Sequence, residues 1–217
     1  MPDLKFQITD IEPAVCGLVP LLRFNVEIRN RPETEAIHSI MLHAQVQIQS
    51  PQRSYNADEK ERLSELFGQP DRWGQTLRNR LWGHSETTVR GFTCSTEATL
   101  PMTCTFDLYV AATKYFHALD GGDVPLLFLF SGTVFYEAED GRLQVQQIPW
   151  DNESSYRMPV EIWQKMMDRH FPNTAWLYLQ RDVFDKLYAY KRSQGCASWE
   201  QTIACLLDTK RQPAVLA

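Results

Sequence analysis

Apolar and polar residues alternate along much of the first two-thirds of the chain. In "LRFNVEIRN", Phe24, Val26 and Ile28 alternate with Asn25, Glu27 and Arg29, so a strand here carries one apolar face. "IMLHAQVQIQ" repeats the pattern, with Ile40, Leu42, Ala44, Val46 and Ile48 inward and His43, Gln45, Gln47 and Gln49 outward. The polar turn from Asn30 to Glu35 joins the two and predicts a hairpin. "LKFQI" near the start predicts a first strand through Leu4, Phe6 and Ile8.

The period then changes from two to that of a helix. Asn56 with Glu59 reads as a capping box, Leu63, Leu66 and Phe67 follow at helical spacing, and Gly68 stands at the C-terminal cap. Trp73, Leu77 and Leu81 predict a second helix. Residues 56 to 82 are thus a helical insertion between strands. Strands resume at 87 to 100, where threonines favour extended structure. In "TFDLYVAATKY", Phe106, Leu108, Val110 and Ala112 predict a strand face. "VPLLFLFSGTVFY" is apolar on both faces, as a central strand requires, and Gly132 within it marks a bulge or a close backbone approach. Glu139-Asp140-Gly141 is a hairpin turn, and "GRLQVQQI" alternates again, with Leu143, Val145 and Ile148 inward.

After Pro149 the pattern becomes helical. Pro159 opens a helix with Val160, Trp163, Met167 and Phe171 on one stripe, and Pro172 ends it. "AWLYL" is a short extended piece. Asp182 caps a helix with Phe184, Leu187 and Tyr188 inward and Gly195 as its stop. Ser198 and Gln201 form a capping box for a last helix that buries Trp199, Ile203, Leu206 and Leu207. Strands first and helices after predict an α+β fold: an antiparallel β-sandwich over 1–150, immunoglobulin-like or alternatively SecB-like. A C-terminal three-helix segment over 151–217 is expected to pack on it as a single compact unit.

Composition narrows the function classes. The 217 residues are 43% hydrophobic and 23% charged, which suits a folded domain. A net charge of −5 lacks the electrostatic footprint of a general nucleic-acid binder. The longest apolar stretch falls short of the about 20 residues a spanning helix needs. "MPDLKFQITD" has no signal-peptide pattern, so a cytoplasmic location is expected. Five scattered cysteines (Cys16, Cys94, Cys104, Cys196 and Cys205) fit reduced thiols.

Candidate chemistry is sparse. His117-Ala118-Leu119-Asp120-Gly121-Gly122-Asp123 could place a base, His117, beside an orienting Asp120 or Asp123, which is the hydrolase-type alternative. The same residues suit a tight connection into a buried strand, because Gly takes positive φ and Asp supports turns. There is no C-x-x-C, no H-x-x-x-H and no acidic calcium loop; Cys94, Cys104 and His84 are the nearest thing to a ligand set. Neither phosphate-binding glycine motif occurs, and no cofactor is expected. Arg72, Arg78, Arg80 and Arg90 interleave with Trp73 and Trp82, but the acidic balance favours a solvated cationic helix face. Six Trp and eight Tyr are plentiful, and Trp73, Trp82, Trp150 and Trp176 lie at or near element ends, where they could form a protein-binding surface.

Three blocks carry a resemblance: "ERLSELFGQPDRWGQTLRNRLW", "GFTCSTEATLPMTCTFDLYVAATKYFHALDGGDVPLLFLFSGTVFY" and "IPWDNESSYRMPVEIWQKMMDRHFPNTAWLYL". Over nearly the whole chain the sequence resembles an uncharacterised bacterial domain-of-unknown-function family, typically encoded beside high-affinity, actinobacterial-type nickel-iron hydrogenase genes. The resemblance implies an accessory or assembly role and supplies no catalytic residues. "HFPNTAWLYLQRDVFDKLYAY" is also similar in layout to the end of the SecB export chaperone, through Phe171-Pro172, Trp176 to Leu179, Phe184 and Leu187-Tyr188. The insertion at 56 to 82 and the last helix depart from SecB.

The expectation is therefore a non-enzymatic accessory protein that binds a protein partner, such as hydrogenase subunits or maturation factors. Its contact residues would be Trp73, Trp82, Trp150, Trp176, Arg72 and Arg78. A SecB-like client-binding chaperone is the alternative. The pattern does not set the oligomeric state.

Overall fold

The structure, a computed structural model, describes residues 2–15, 17–33, 35–106, 110–138 and 141–209. It has two compact units, Met1–Thr174 and Ala175–Ala217. The first contains β1 (Asp3–Pro13), β2 (Leu21–Arg31), β3 (Ile37–Ile48), α1 (Ala57–Phe67), α2 (Trp73–Thr76), β4 (Arg80–Phe92) and β5 (Ser95–Thr103). It continues with α3 (Val110–His117), β6 (Asp123–Glu137), β7 (Leu143–Gln147), β8 (Glu153–Pro159) and α4 (Val160–His170). The second contains α5 (Arg181–Ser193) and α6 (Trp199–Thr209).

The architecture is α+β with two antiparallel sheets. One has the order β1-β2-β5; the other has the order β4-β3-β6-β7, with β8 also paired to β6. The alternating apolar residues face each other across the two sheets. Phe6 on β1 stacks on Phe130 of β6 at 4.7 Å, and Phe24 on β2 meets Phe128 of β6 edge-on at 5.0 Å. Each large side chain buried this way stabilises the fold by about 1.5–3 kcal/mol. Consecutive strands change sheet at β2–β3, β4–β5 and β5–β6. The hairpin expected between β2 and β3 is accordingly not formed. Both strands have one apolar face, and they bury it by lying in opposite layers rather than side by side.

Helix α1 forms as its spacing predicts. Asn56 Oδ1 accepts from the Glu59 N–H at 2.8 Å, the Glu59 carboxylate accepts from the Asn56 N–H at 3.1 Å, and Gly68 caps the end at φ 77°. The second helix is cut short. The backbone turns extended at Leu77, and Leu81 lies exposed on β4. Val110 and Ala112, expected on a strand face, lie instead in the helix α3; its buried Ala112, Thr113, Tyr115 and Phe116 fall on one helical side. Leu108 lies outside the described residues.

Central strand β6 is paired on both sides, with β3 along one edge. Along the other edge β8 pairs with Asp123 to Leu129 and β7 with Thr133 to Glu137. Gly132, at φ 137°, sits where a Cβ would overlap the Met41 carbonyl oxygen, so the close approach expected there is real. The turn into β7 closes with Gly141 N donating to Ala138 O at 2.8 Å, while Glu139 and Asp140 lie outside the described residues. Leu143 and Val145 are exposed, against expectation, because the register puts Val145 beside Phe135 on the outward face of the sheet.

Strand β8 was not anticipated. Because it pairs with β6, and because Trp163 of α4 stacks on Phe116 at 5.0 Å, residues 151 to 174 belong with the sheets. The boundary between units falls after Thr174 rather than at residue 150. In the second unit Phe184 stacks on Tyr188 and both meet Trp199 at a tilt, yet the expected inward residues Phe184, Tyr188, Ile203, Leu206 and Leu207 remain exposed in part or largely. No helix among the described residues is long and apolar enough to cross a membrane.

Candidate functional site

The turn from His117 to Asp123 connects the end of α3 to the start of β6, and its polar groups are engaged by the segment before and within α1. Arg53 donates through Nη1 to the Asp123 carbonyl at 2.7 Å and through Nη2 to the Gly121 carbonyl at 2.6 Å. The same Nη2 lies 2.8 Å from Glu59 Oε1, forming an ion pair whose side chains are only 8% and 4% exposed. Glu59 Oε1 also accepts from the Asp120 N–H at 3.1 Å. The Asp120 carboxylate accepts from Asn56 Nδ2 at 3.0 Å and pairs with Arg62, whose Nε donates to the Ala118 carbonyl at 2.9 Å. Gly122 takes φ 72°, which only glycine adopts freely.

The electrostatics follow from these partners. Asp120 is held below the usual carboxylate range, first by the Asn56 hydrogen bond and then by Arg62. His117 meets Trp163 edge-on at 4.9 Å. Partial burial pushes its imidazole below the ordinary range, opposed by the nearby Asp168 carboxylate. His117 and Asp120 therefore answer to different neighbours, and Asp123 contributes its backbone carbonyl. The stretch acts as a clamp between an insertion and a central strand.

The tryptophans divide sharply. Trp73 is 6% exposed; it packs edge-on against Phe67 and Tyr55, and its Nε1 donates to the Gly68 carbonyl at 2.9 Å. Trp82, 2% exposed, lies between Phe24 and Phe116. Both are core residues, and the expectation that they present a contact surface is corrected accordingly. Both pack inward because an indole in contact with several rings loses more water-exposed area there than at an element's rim. Arg72 and Arg78 are exposed, the latter donating to the Leu77 carbonyl at 2.9 Å. Trp176 is half-buried in the second unit.

Trp150 is 91% exposed. It stands on the turn from Ile148 to Asn152, where the chain leaves β7 and returns as β8. That turn is anchored to β6 at both ends, by Ile148 N donating to the Gly132 carbonyl and Asn152 accepting at its carbonyl from Phe130 N, each 2.9 Å. Buried Asn152 also donates through Nδ2 to the Pro149 carbonyl at 3.2 Å. An indole is thus displayed at the break in a sheet edge on a backbone with little freedom. The strand just before it places Val145 and Leu143 on the outward face of the five-stranded sheet, next to Phe135, with Met41 one strand further in.

Periodicity alone could not single out a second outward feature. The register aligns Glu86, His43 and Ser131 across β4, β3 and β6. His43 Nδ1 lies 3.4 Å from Glu86 Oε2, beneath a shallow depression of about 470 Å³ that also touches His84 and Gln45. Alternation along β3 assigns His43 outward but says nothing of which residues flank it. Among the described residues no three His, Cys, Asp or Glu side chains converge as metal ligands. Cys94 is exposed in a turn, whereas Cys104 is buried, its thiol pushed up to about 12 by desolvation.

Solved structures offer only distant likeness. A Bordetella pertussis protein provisionally named ApaA is 10% identical, covering 72% of this chain and 94% of its own, with a TM-score of 0.28. A β-glucosidase from Kluyveromyces marxianus, in complex with glucose, is 9% identical over 72% of this chain and 15% of its own, with a TM-score of 0.21. Neither carries an argument about fold or function. No curated protein matches the chain. One family model does match, over residues 1–215, and by it the chain belongs to DUF6084, a family of unknown function.

Proposed function

We propose that this protein is a cytoplasmic, non-enzymatic accessory module that binds a protein partner through Trp150 and the outward apolar patch of the five-stranded sheet. The observation that carries this reading is the 91% exposure of Trp150 on a turn held by four hydrogen bonds. A rigid, exposed indole loses little conformational freedom on binding and covers a large apolar area, which is why Trp dominates interface hot spots. Leu143, Val145 and Met41, all exposed, extend the apolar area along the sheet.

The partner class rests on the family resemblance: subunits or maturation factors of a nickel-iron hydrogenase. The testing experiment is affinity purification of the tagged chain from its own host, with the wild type beside W150A. Hydrogenase components that co-purify with the wild type and are lost with W150A support the reading. Wild-type protein that retains no hydrogenase component refutes the partner class. Equal recovery with W150A refutes the surface.

A further inference from the structure

In the second unit each helix carries an apolar stripe that is open to water along one side. On α6, Trp199, Thr202, Ile203, Leu206 and Leu207 fall within about 140° of arc at the helical repeat. Across that arc exposure rises from 0% at Thr202, through 37% at Leu206 and 39% at Ile203, to 60% at Leu207. The Thr202 edge is seated and the Leu207 edge is open. On α5, Val183, Phe184, Leu187 and Tyr188 share a similar arc, and all but Leu187 are exposed. The two helices meet at Trp199, whose ring lies 5.4 Å from that of Phe184 and 6.0 Å from that of Tyr188, with Lys191 Nζ 5.7 Å over it.

Of the residues between Ala175 and Asp208 only Thr202 is fully buried. Two helices around a few half-exposed rings bury too little to offset their chain entropy, and units of this size commonly rely on association. Val183, Phe184 and Tyr188 of α5, with Ile203, Leu206 and Leu207 of α6, leave on the order of 500 Å² in water. Two such hairpins face to face would bury about 1,000 Å², the size at which a specific interface begins. We propose that the second unit is a self-association module, in which the hairpins of two copies of this chain pack their open stripes together as a four-helix bundle.

Charge selects a second copy as the occupant. Helix α5 carries Arg181, Lys186, Lys191 and Arg192 against Asp182 and Asp185, whereas α6 carries Glu200 and Asp208 and no basic residue. One helix is net positive and its neighbour net negative. Glu200 stands two turns before Leu207 on the open edge of α6, and Lys186 one turn after Val183 on α5. A two-fold rotation lays α5 of one copy beside α6 of the other, stripe on stripe, with opposite charge at both contacts. A hairpin without the same division of charge would set like charge against one of the two helices.

The test is sedimentation equilibrium of the full chain at about 1 to 100 μM, the range in which an interface of this area assembles. The expected species has twice the chain mass. L207E and V183E, each on an open edge, are expected to weaken self-association by about tenfold or more with helical circular dichroism retained. K186E/R192E and E200K/D208K each set like charge against like; each alone is expected at one chain mass, and the mixture at two. Those four positions are exposed, so the mixture reads association even if L207E loosens the hairpin. Wild type at one chain mass throughout would overturn the proposal, whether the first unit or another protein covers the stripes. A wild-type pair that neither L207E nor V183E weakens would overturn it too. Charge variants that stay single when mixed, or that also pair with themselves, would overturn the packing of α5 on α6.

Discussion

Arg53 and Glu59 form a nearly water-free ion pair, 2.8 Å apart, that simultaneously grips the backbone of the turn from Gly121 to Asp123. Glu59 is at once the third residue of a helix, half of a capping box, and the acceptor for Asp120 N. The pair therefore couples the start of α1 to the entry of β6, positions more than sixty residues apart in sequence.

Removing one partner leaves the other charge buried without compensation. E59Q and R53M are each expected to cost about 3–5 kcal/mol of stability. Urea denaturation measured on both variants checks this; losses under 1 kcal/mol would mean the pair is better hydrated than its geometry implies.

Gly132 has no room for a side chain. G132A combines an unfavourable φ with overlap on the Met41 carbonyl and is expected to cost about 3 kcal/mol or more, or to send the protein into the insoluble fraction. G74A makes the useful contrast, since nothing approaches its Cβ. Its denaturation midpoint is expected to hold or rise slightly.

Two tryptophans should separate stability from binding. W82A empties a site between Phe24 and Phe116 and is expected to cost about 3–5 kcal/mol. W150A, at an exposed tip, is expected to change stability by no more than about 0.5 kcal/mol while weakening partner binding by about 2 kcal/mol or more. Parallel thermal melts and binding isotherms distinguish the two.

Acid should weaken the fold in two windows. The folded state disfavours protonated His117, so its contribution is complete above the ordinary imidazole value of 6.5 and declines as pH falls below it. Asp120, held low by Asn56 and Arg62, adds a second decline below the ordinary carboxylate value of 3.8. H117N is expected to flatten the first slope and D120N the second. Stability measured at fixed temperature across pH 3 to 8 reads both, and added salt should shrink the exposed Asp120 component most, since it screens Arg62.

What the sequence made legible follows from burial. β2, β3 and β6 were readable because one or both faces are dry, which forces alternation or a continuous apolar run. α3 reads as a strand because Phe106, Leu108, Val110 and Ala112 satisfy period two over so short a span. β8 escaped because "ESSYRMP" needs only one apolar residue, Met158, inside. Segments that bury little write little into their sequence. The clamp was hidden for a different reason: it depends on Arg53, Glu59 and Asp120 meeting, and no local pattern links them. Trp73, Trp82 and Trp150 all sit near element ends, so only the tertiary fold could separate core from surface among them.

The far edge of β6 is shared by two short strands set end to end, with a kinked turn between them. A neighbouring chain searching for a long unpaired ladder would find only five residues of β7 before the backbone veers away, while Ser154 Oγ of β8 accepts a hydrogen bond from the Ile8 N–H of the opposite sheet at 3.0 Å. The interruption that lifts Trp150 into solvent thus also breaks up a template for amyloid-like stacking. Mending it, by replacing the turn with a straight strand, would exchange an exposed indole for a route to fibrils.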